Sequence, residues 1–191
     1  MDIFALHAPS YLQIVSLAGL LLGAAAAQNN LKPQQIQQDG FEIIGISART
    51  NNAKEMAGEG AIPQMWKRFY SDKDTSFDRI PAKTDNSVYV AYTDYASDAG
   101  GDYTVVMGAR VKPGTRPLEG MVTVHVPAGR YLQFTTEQGS LPTVVPKLWR
   151  DIYAYFGQGG TARRAFKTDY EIYEAGMDPA NSTGTIYIGL K

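Results

Sequence analysis

The chain has 191 residues, 44% hydrophobic and 19% charged, the balance of a globular protein rather than a disordered one. Its 18 basic and 19 acidic residues leave a formal charge of −1, so it lacks the global basic footprint of a nucleic-acid binder. Cys is absent, which excludes disulfides, thiolate catalysis and thiolate zinc sites, and two histidines, His7 and His125, are too few for a multi-histidine metal site.

The N-terminal end differs from the rest. Residues 1–31 contain no Lys or Arg, and their one charge is Asp2. Residues 11–27 are nearly all apolar and end in Ala25-Ala26-Ala27. An apolar run closed by small residues has the form of a secretory leader, here without the positive n-region. A secretory leader, a retained anchor, an ordinary helix and a misplaced start all stay open. The run falls short of the roughly 20 apolar residues a span requires, so no stable membrane span is expected. Residues 1–27 are thus read as an apolar leader and the Gln-rich residues 28–39 as a polar linker.

From residue 40 onward the chain reads as an internal duplication, about 40–112 and 120–191. Ile62-Pro63-Gln64-Met65-Trp66 resembles Val145-Pro146-Lys147-Leu148-Trp149. Tyr89 and Tyr92 recur as Tyr170 and Tyr173, Gly108 as Gly189, and Gly45 as Gly129, all in the same order.

In the first copy, residues 41–50 mix β-branched and apolar residues and predict a strand. Residues 51–60 are polar and read as a loop. Ile62, Met65, Trp66, Phe69 and Tyr70 then form one apolar stripe at helical spacing, with Pro63 in the first turn. Residues 87–95 and 103–111 predict a hairpin around the Gly-rich turn at 97–102. In the second copy, 121–126 and 129–136 are strands, and Val145, Leu148, Trp149, Ile152, Tyr153 and Phe156 make the second stripe. Gly157 and Gly159-Gly160 stop that helix, and 168–174 and 185–190 are the last strands. Each half is strand, helix, strand, strand. A helix with one apolar stripe must lie on a sheet, which predicts an α+β domain of tandem duplicated units, an antiparallel sheet with two helices and pseudo-two-fold symmetry. A ligand pocket is expected between the helices.

The pieces ISARTNNAKEM, MWKRFY, VYVAYTDYASD, VPAGRYLQFTTEQG, LWRDIYAYF, DYEIYE and TIYIGLK resemble the gyrase-inhibitor-like (GyrI-like) small-molecule-binding superfamily. That superfamily includes the effector-binding domains of AraC-type and MerR-type regulators, and the likeness is to its stand-alone, integron-associated members. The resemblance covers residues 40–191. It implies an aromatic pocket whose acidic residue faces cationic aromatic compounds, and the matching position is Glu171. It also implies a cytoplasmic location, which a working leader would replace by export. Some relatives hydrolyse reactive natural products and others protect gyrase as protein partners, so three functions stay open: binding, hydrolysis and protein interaction. Direct DNA binding is not expected, since residues 1–40 are too short and too poorly charged for a reading domain.

The candidate ligand-binding residues are Glu171, Tyr173, Tyr92, Trp66, Trp149, Tyr131 and Phe134. Strand alternation places Glu171 on one face with Asp169 and Tyr173, opposite Tyr170 and Ile172. That face is either the pocket or solvated sheet. Trp66 and Trp149 are either pocket walls or core, and the tyrosines either pocket groups or cross-strand packing. No cofactor is indicated. The glycine clusters lack the Lys and Ser/Thr of a phosphate loop, and His125, alone in a strand, is a poor haem ligand. No catalytic or metal-binding residue is assigned.

Overall fold

A computed structural model of the chain describes residues 31–71, 76–157 and 163–191. The apolar leader, the side chain of Tyr70 and the Gly159-Gly160 pair lie outside the described residues. The elements run β1 (Gln34–Gln38), β2 (Phe41–Thr50), α1 (Asn52–Ala57), α2 (Ile62–Ser71), β3 (Val88–Thr93), β4 (Tyr103–Val111), β5 (Val122–Val126), β6 (Gly129–Thr135), α3 (Leu141–Gly157), β7 (Thr168–Tyr173) and β8 (Thr185–Gly189). A short 3-10 turn, Phe77–Arg79, precedes β3.

All eight strands form one antiparallel sheet in the order β1-β6-β8-β7-β3-β4-β2-β5. The two copies meet at the β7–β3 seam. Strands cross between the halves: β1, just ahead of the first copy, pairs with β6 of the second, and β5 of the second pairs with β2 of the first. The stretch expected to be a linker therefore carries β1, and its polarity has a physical reason. β1 is an edge strand whose Gln side chains are mostly exposed, while Ile36 packs against the core.

The sheet has a core on each face. On one, α2 contributes Met65 and Phe69, and α3 contributes Leu141, Val144, Leu148 and Ile152. The opposite core of Phe41, Ile43, Tyr89, Val106, Val126, Tyr131 and Tyr170 contains no helical residue. The sheet closes this face by curling on itself, so that β5 touches β3 and β7 although neither is its neighbour. The curl needs close backbone approach between β2 and β4. Gly45 lies opposite Gly108, and a Cβ on Gly45 would stand 2.0 Å from the Met107 carbonyl oxygen.

The second copy is not a replica here. Gly189 lies opposite Tyr131, and Gly129 opposite Gln38 of β1. The sequence match of Gly45 with Gly129 is thus not a structural equivalence. Two helical boundaries also differ from the sequence reading. Residues 52–57, read as loop, form α1, with the Asn51 side chain accepting from Lys54 N at 2.9 Å and Gly58 in the left-handed region at φ 79°. α3 begins at Leu141, a turn before the apolar stripe, with Val144 N donating to the Ser140 carbonyl. Its first turns contain Pro142 and Pro146, which weaken the helical signal in the sequence.

Candidate functional site

The site is built on the seam. In the β3–β7 ladder Val88 faces Tyr173, Val90 faces Glu171 and Tyr92 faces Asp169. Directly paired residues share a face, so these six side chains point to the helical side. A groove of about 2020 Å³ opens there, lined by Trp66 of α2, Trp149 and Tyr153 of α3, and Tyr92, Glu171 and Tyr173 of the sheet.

Glu171 is 3% exposed. Its Oε1 accepts from the Tyr92 hydroxyl at 2.8 Å and from Trp149 Nε1 at 2.5 Å, and its Oε2 accepts from the Tyr173 hydroxyl at 2.5 Å. All three donors are neutral. Burial raises the carboxyl above its ordinary value of 4.5, while the bonds from Tyr173, Trp149 and Tyr92 pull the other way. Burial and the adjacent Glu171 charge together hold the Tyr92 hydroxyl well above its ordinary value, so it remains a donor at neutral pH. The indole of Trp66 meets the Tyr173 ring edge-on at 5.3 Å, and Trp149 meets Tyr92 at 5.2 Å. The result is a carboxylate at the base of an aromatic enclosure.

A second charged group lies two residues away. Asp169, 0% exposed, accepts from Arg164 Nε at 3.0 Å and Arg164 Nη2 at 2.6 Å, from the Tyr95 hydroxyl at 2.8 Å and from Gly189 N at 2.8 Å. Arg164 also lines the groove. Asn52 of α1 accepts at Oδ1 from Tyr103 and from Tyr153, so the first copy's short helix is tied to α3 across the groove.

The structure brings five of the seven sequence candidates to the groove: Glu171, Tyr173, Tyr92, Trp66 and Trp149. The other two do not reach it. Tyr131 lies in the core on the opposite face, its hydroxyl donating to the Pro127 carbonyl at 2.8 Å. Phe134 packs beneath α3 with Leu148 and Ile152, edge-on to Tyr155. Three residues apart on one strand, these two could never share a face. Asn52, Tyr153, Arg164 and Phe166 line the groove without having been singled out for it. Tyr153 carried a partial signal in the second helical stripe, whereas Asn52 lies in a stretch read as loop, and Arg164 and Phe166 sit in an irregular segment with no periodicity. His125 is exposed on β5, away from the groove. Among the described residues no group of three His, Asp or Glu is placed to hold a metal ion, and no helix is long and apolar enough to cross a membrane.

Two strand–helix–strand–strand repeats closed around an aromatic groove with an acidic floor define an effector-binding domain of the GyrI-like type. The chain belongs to the Cass2 family of integron-associated effector-binding proteins, whose profile matches residues 36–190. It is similar to an integron cassette protein from the mobile metagenome of Vibrio cholerae, with 34% identity, TM-score 0.65, and coverage of 85% of this chain and 99% of that one. It is 29% identical over 155 residues to the Bacillus subtilis protein YobU, covering 78% of this chain and 91% of YobU. The Pseudomonas aeruginosa transcriptional regulator BrlR is 27% identical over 84% of this chain, which spans 56% of BrlR. SAV2435, solved bound to tetraphenylphosphonium, shares the fold with TM-score 0.68 at 15% identity, covering 84% of this chain and 94% of that one.

Proposed function

We propose that the chain binds small aromatic cations in the groove between its repeats, as a stand-alone effector-binding or drug-sequestering protein without catalysis. One observation carries this reading: Glu171 is a buried carboxylate whose hydrogen-bond partners are all neutral. A charge taken out of water without a cationic partner is costly. A cation entering beside Glu171 supplies that partner, and the Trp66, Trp149, Tyr92 and Tyr173 rings add stacking and cation–π attraction. SAV2435, of the same fold, binds tetraphenylphosphonium, a cation of this chemistry.

The test is a thermal-shift comparison of the full chain with tetraphenylphosphonium and with neutral triphenylphosphine oxide. A ligand selective for the native state raises the melting temperature by mass action. A shift with the cation and little with the neutral compound supports the proposal; equal shifts, or none, count against it.

A further inference from the structure

One cation is already enclosed by the rings of the groove, and it belongs to the chain. The Arg164 guanidinium lies 4.6 Å from the Phe166 ring, 5.4 Å from Tyr95, 5.6 Å from Trp149 and 5.7 Å from Tyr153. All four rings line the groove, as does Arg164 itself. Its side chain is 4% exposed, and its counter-charge Asp169 is fully buried. Burial opposes the guanidinium charge, but Asp169 and the neighbouring tyrosines hold its pKa above the ordinary value. Four rings around a cation, over a buried carboxylate, form a complete cation site.

This site abuts the one over Glu171. Asp169 and Glu171 are alternate residues of β7, on one face and about 7 Å apart along the strand. Trp149 serves both, donating to Glu171 and flanking Arg164.

We infer that Arg164 is the resident cation of a second cation subsite, and that it determines specificity by reserving the cage over Asp169 and restricting foreign cations to the Glu171 end. The second clause rests on the function proposed above; the first does not. With Arg164 in place, a dication on the sheet floor has only Glu171, of the two β7 carboxylates, to pair with. Without it, two carboxylates and two aromatic enclosures share one groove.

The test uses full-length wild type, Arg164→Ala and Arg164→Ala/Asp169→Asn, with ethylguanidinium chloride and its neutral analogue ethylurea. In Arg164→Ala, ethylguanidinium at about 20 mM raises the melting temperature by about 4 °C or more, and ethylurea does not. Wild type and the double variant, which offer only the Glu171 end, show a distinctly smaller selective shift. If Arg164→Ala aggregates, the two compounds are supplied during refolding, and soluble protein recovered with the cation alone carries the same meaning. Equal effects of both compounds, no effect of either, or the same selective shift in wild type would overturn the inference.

The specificity clause is read by calorimetric titration with 1,4-diguanidinobutane and ethylguanidinium. Arg164→Ala gains about tenfold or more preference for the dication over the wild-type ratio, a difference of about 1.4 kcal/mol. An unchanged ratio overturns that clause. Rescue of Arg164→Ala by ethylguanidinium, with no wild-type binding of tetraphenylphosphonium, would keep the cage and reject the Glu171 reading.

Discussion

Tyr92 and Trp149 donate to the same oxygen of Glu171, at 2.8 and 2.5 Å. Tyr92 belongs to the first copy and Trp149 to the second. One carboxylate oxygen therefore ties β3 and α3 together at the seam, and the proposed ligand site coincides with the junction of the repeats. A change at Glu171 thus alters the packing between the repeats as well as the proposed site.

The indole bond gives the first prediction. Trp149→Phe keeps an aromatic wall but removes a donor to a buried carboxylate. Hydrogen bonds to charged groups contribute about 1.5–3 kcal/mol, so urea denaturation at neutral pH should show a loss of this size. At acid pH, where the carboxyl is protonated, the loss should shrink towards the value for a neutral bond. A pH-independent loss would mean that the indole acts through packing alone.

The pH dependence of stability follows from Glu171. Its folded pKa is raised above the ordinary 4.5, chiefly by burial. The folded state thus holds the proton more tightly than the unfolded state. The contribution of this group is fully present below the unfolded pKa and lost as pH rises through the folded one. Unliganded wild type should lose stability relative to Glu171→Gln over that rise, and Glu171→Gln should be the more stable protein at neutral pH. A cationic ligand requires the ionised form, so its affinity should increase through the same window. Parallel stability curves for the two proteins would contradict the assignment.

The glycine pair predicts an asymmetry between the repeats. Gly108→Ala would place a Cβ 1.8 Å from the Ile44 carbonyl oxygen, a clash that only backbone movement relieves. A loss of about 4 kcal/mol or more, or failure to fold, is expected. Gly189→Ala meets its nearest neighbour, the Thr168 carbonyl oxygen, at 3.2 Å, and should cost distinctly less. Similar losses in thermal denaturation would show that the two β-hairpins are equivalent after all.

Much of this architecture was legible in the residues. β2 and β4 matched their predicted bounds, because long alternating or β-branched runs leave little choice of structure. The resemblance pointed to Glu171, and alternation correctly grouped it with Asp169 and Tyr173 and apart from Tyr170, which packs in the other core. Legibility stopped where tertiary contacts decide. β1 is too polar to announce itself, and only pairing with β6 makes it a strand. Nothing local in Arg164 tells that its charge is buried beside Asp169. Tyr131 and Phe134 looked like pocket aromatics, but one faces the curl of the sheet and the other the underside of α3.

In the proposed site, the negative charge of Glu171 selects cations. The most direct test is calorimetric affinity for tetraphenylphosphonium and triphenylphosphine oxide in wild type and Glu171→Gln at neutral pH. The substitution should weaken the cation by about tenfold to a hundredfold and leave the neutral compound within about threefold. Equal weakening of both, with the fold intact, would show that Glu171 shapes the groove without supplying its charge selectivity.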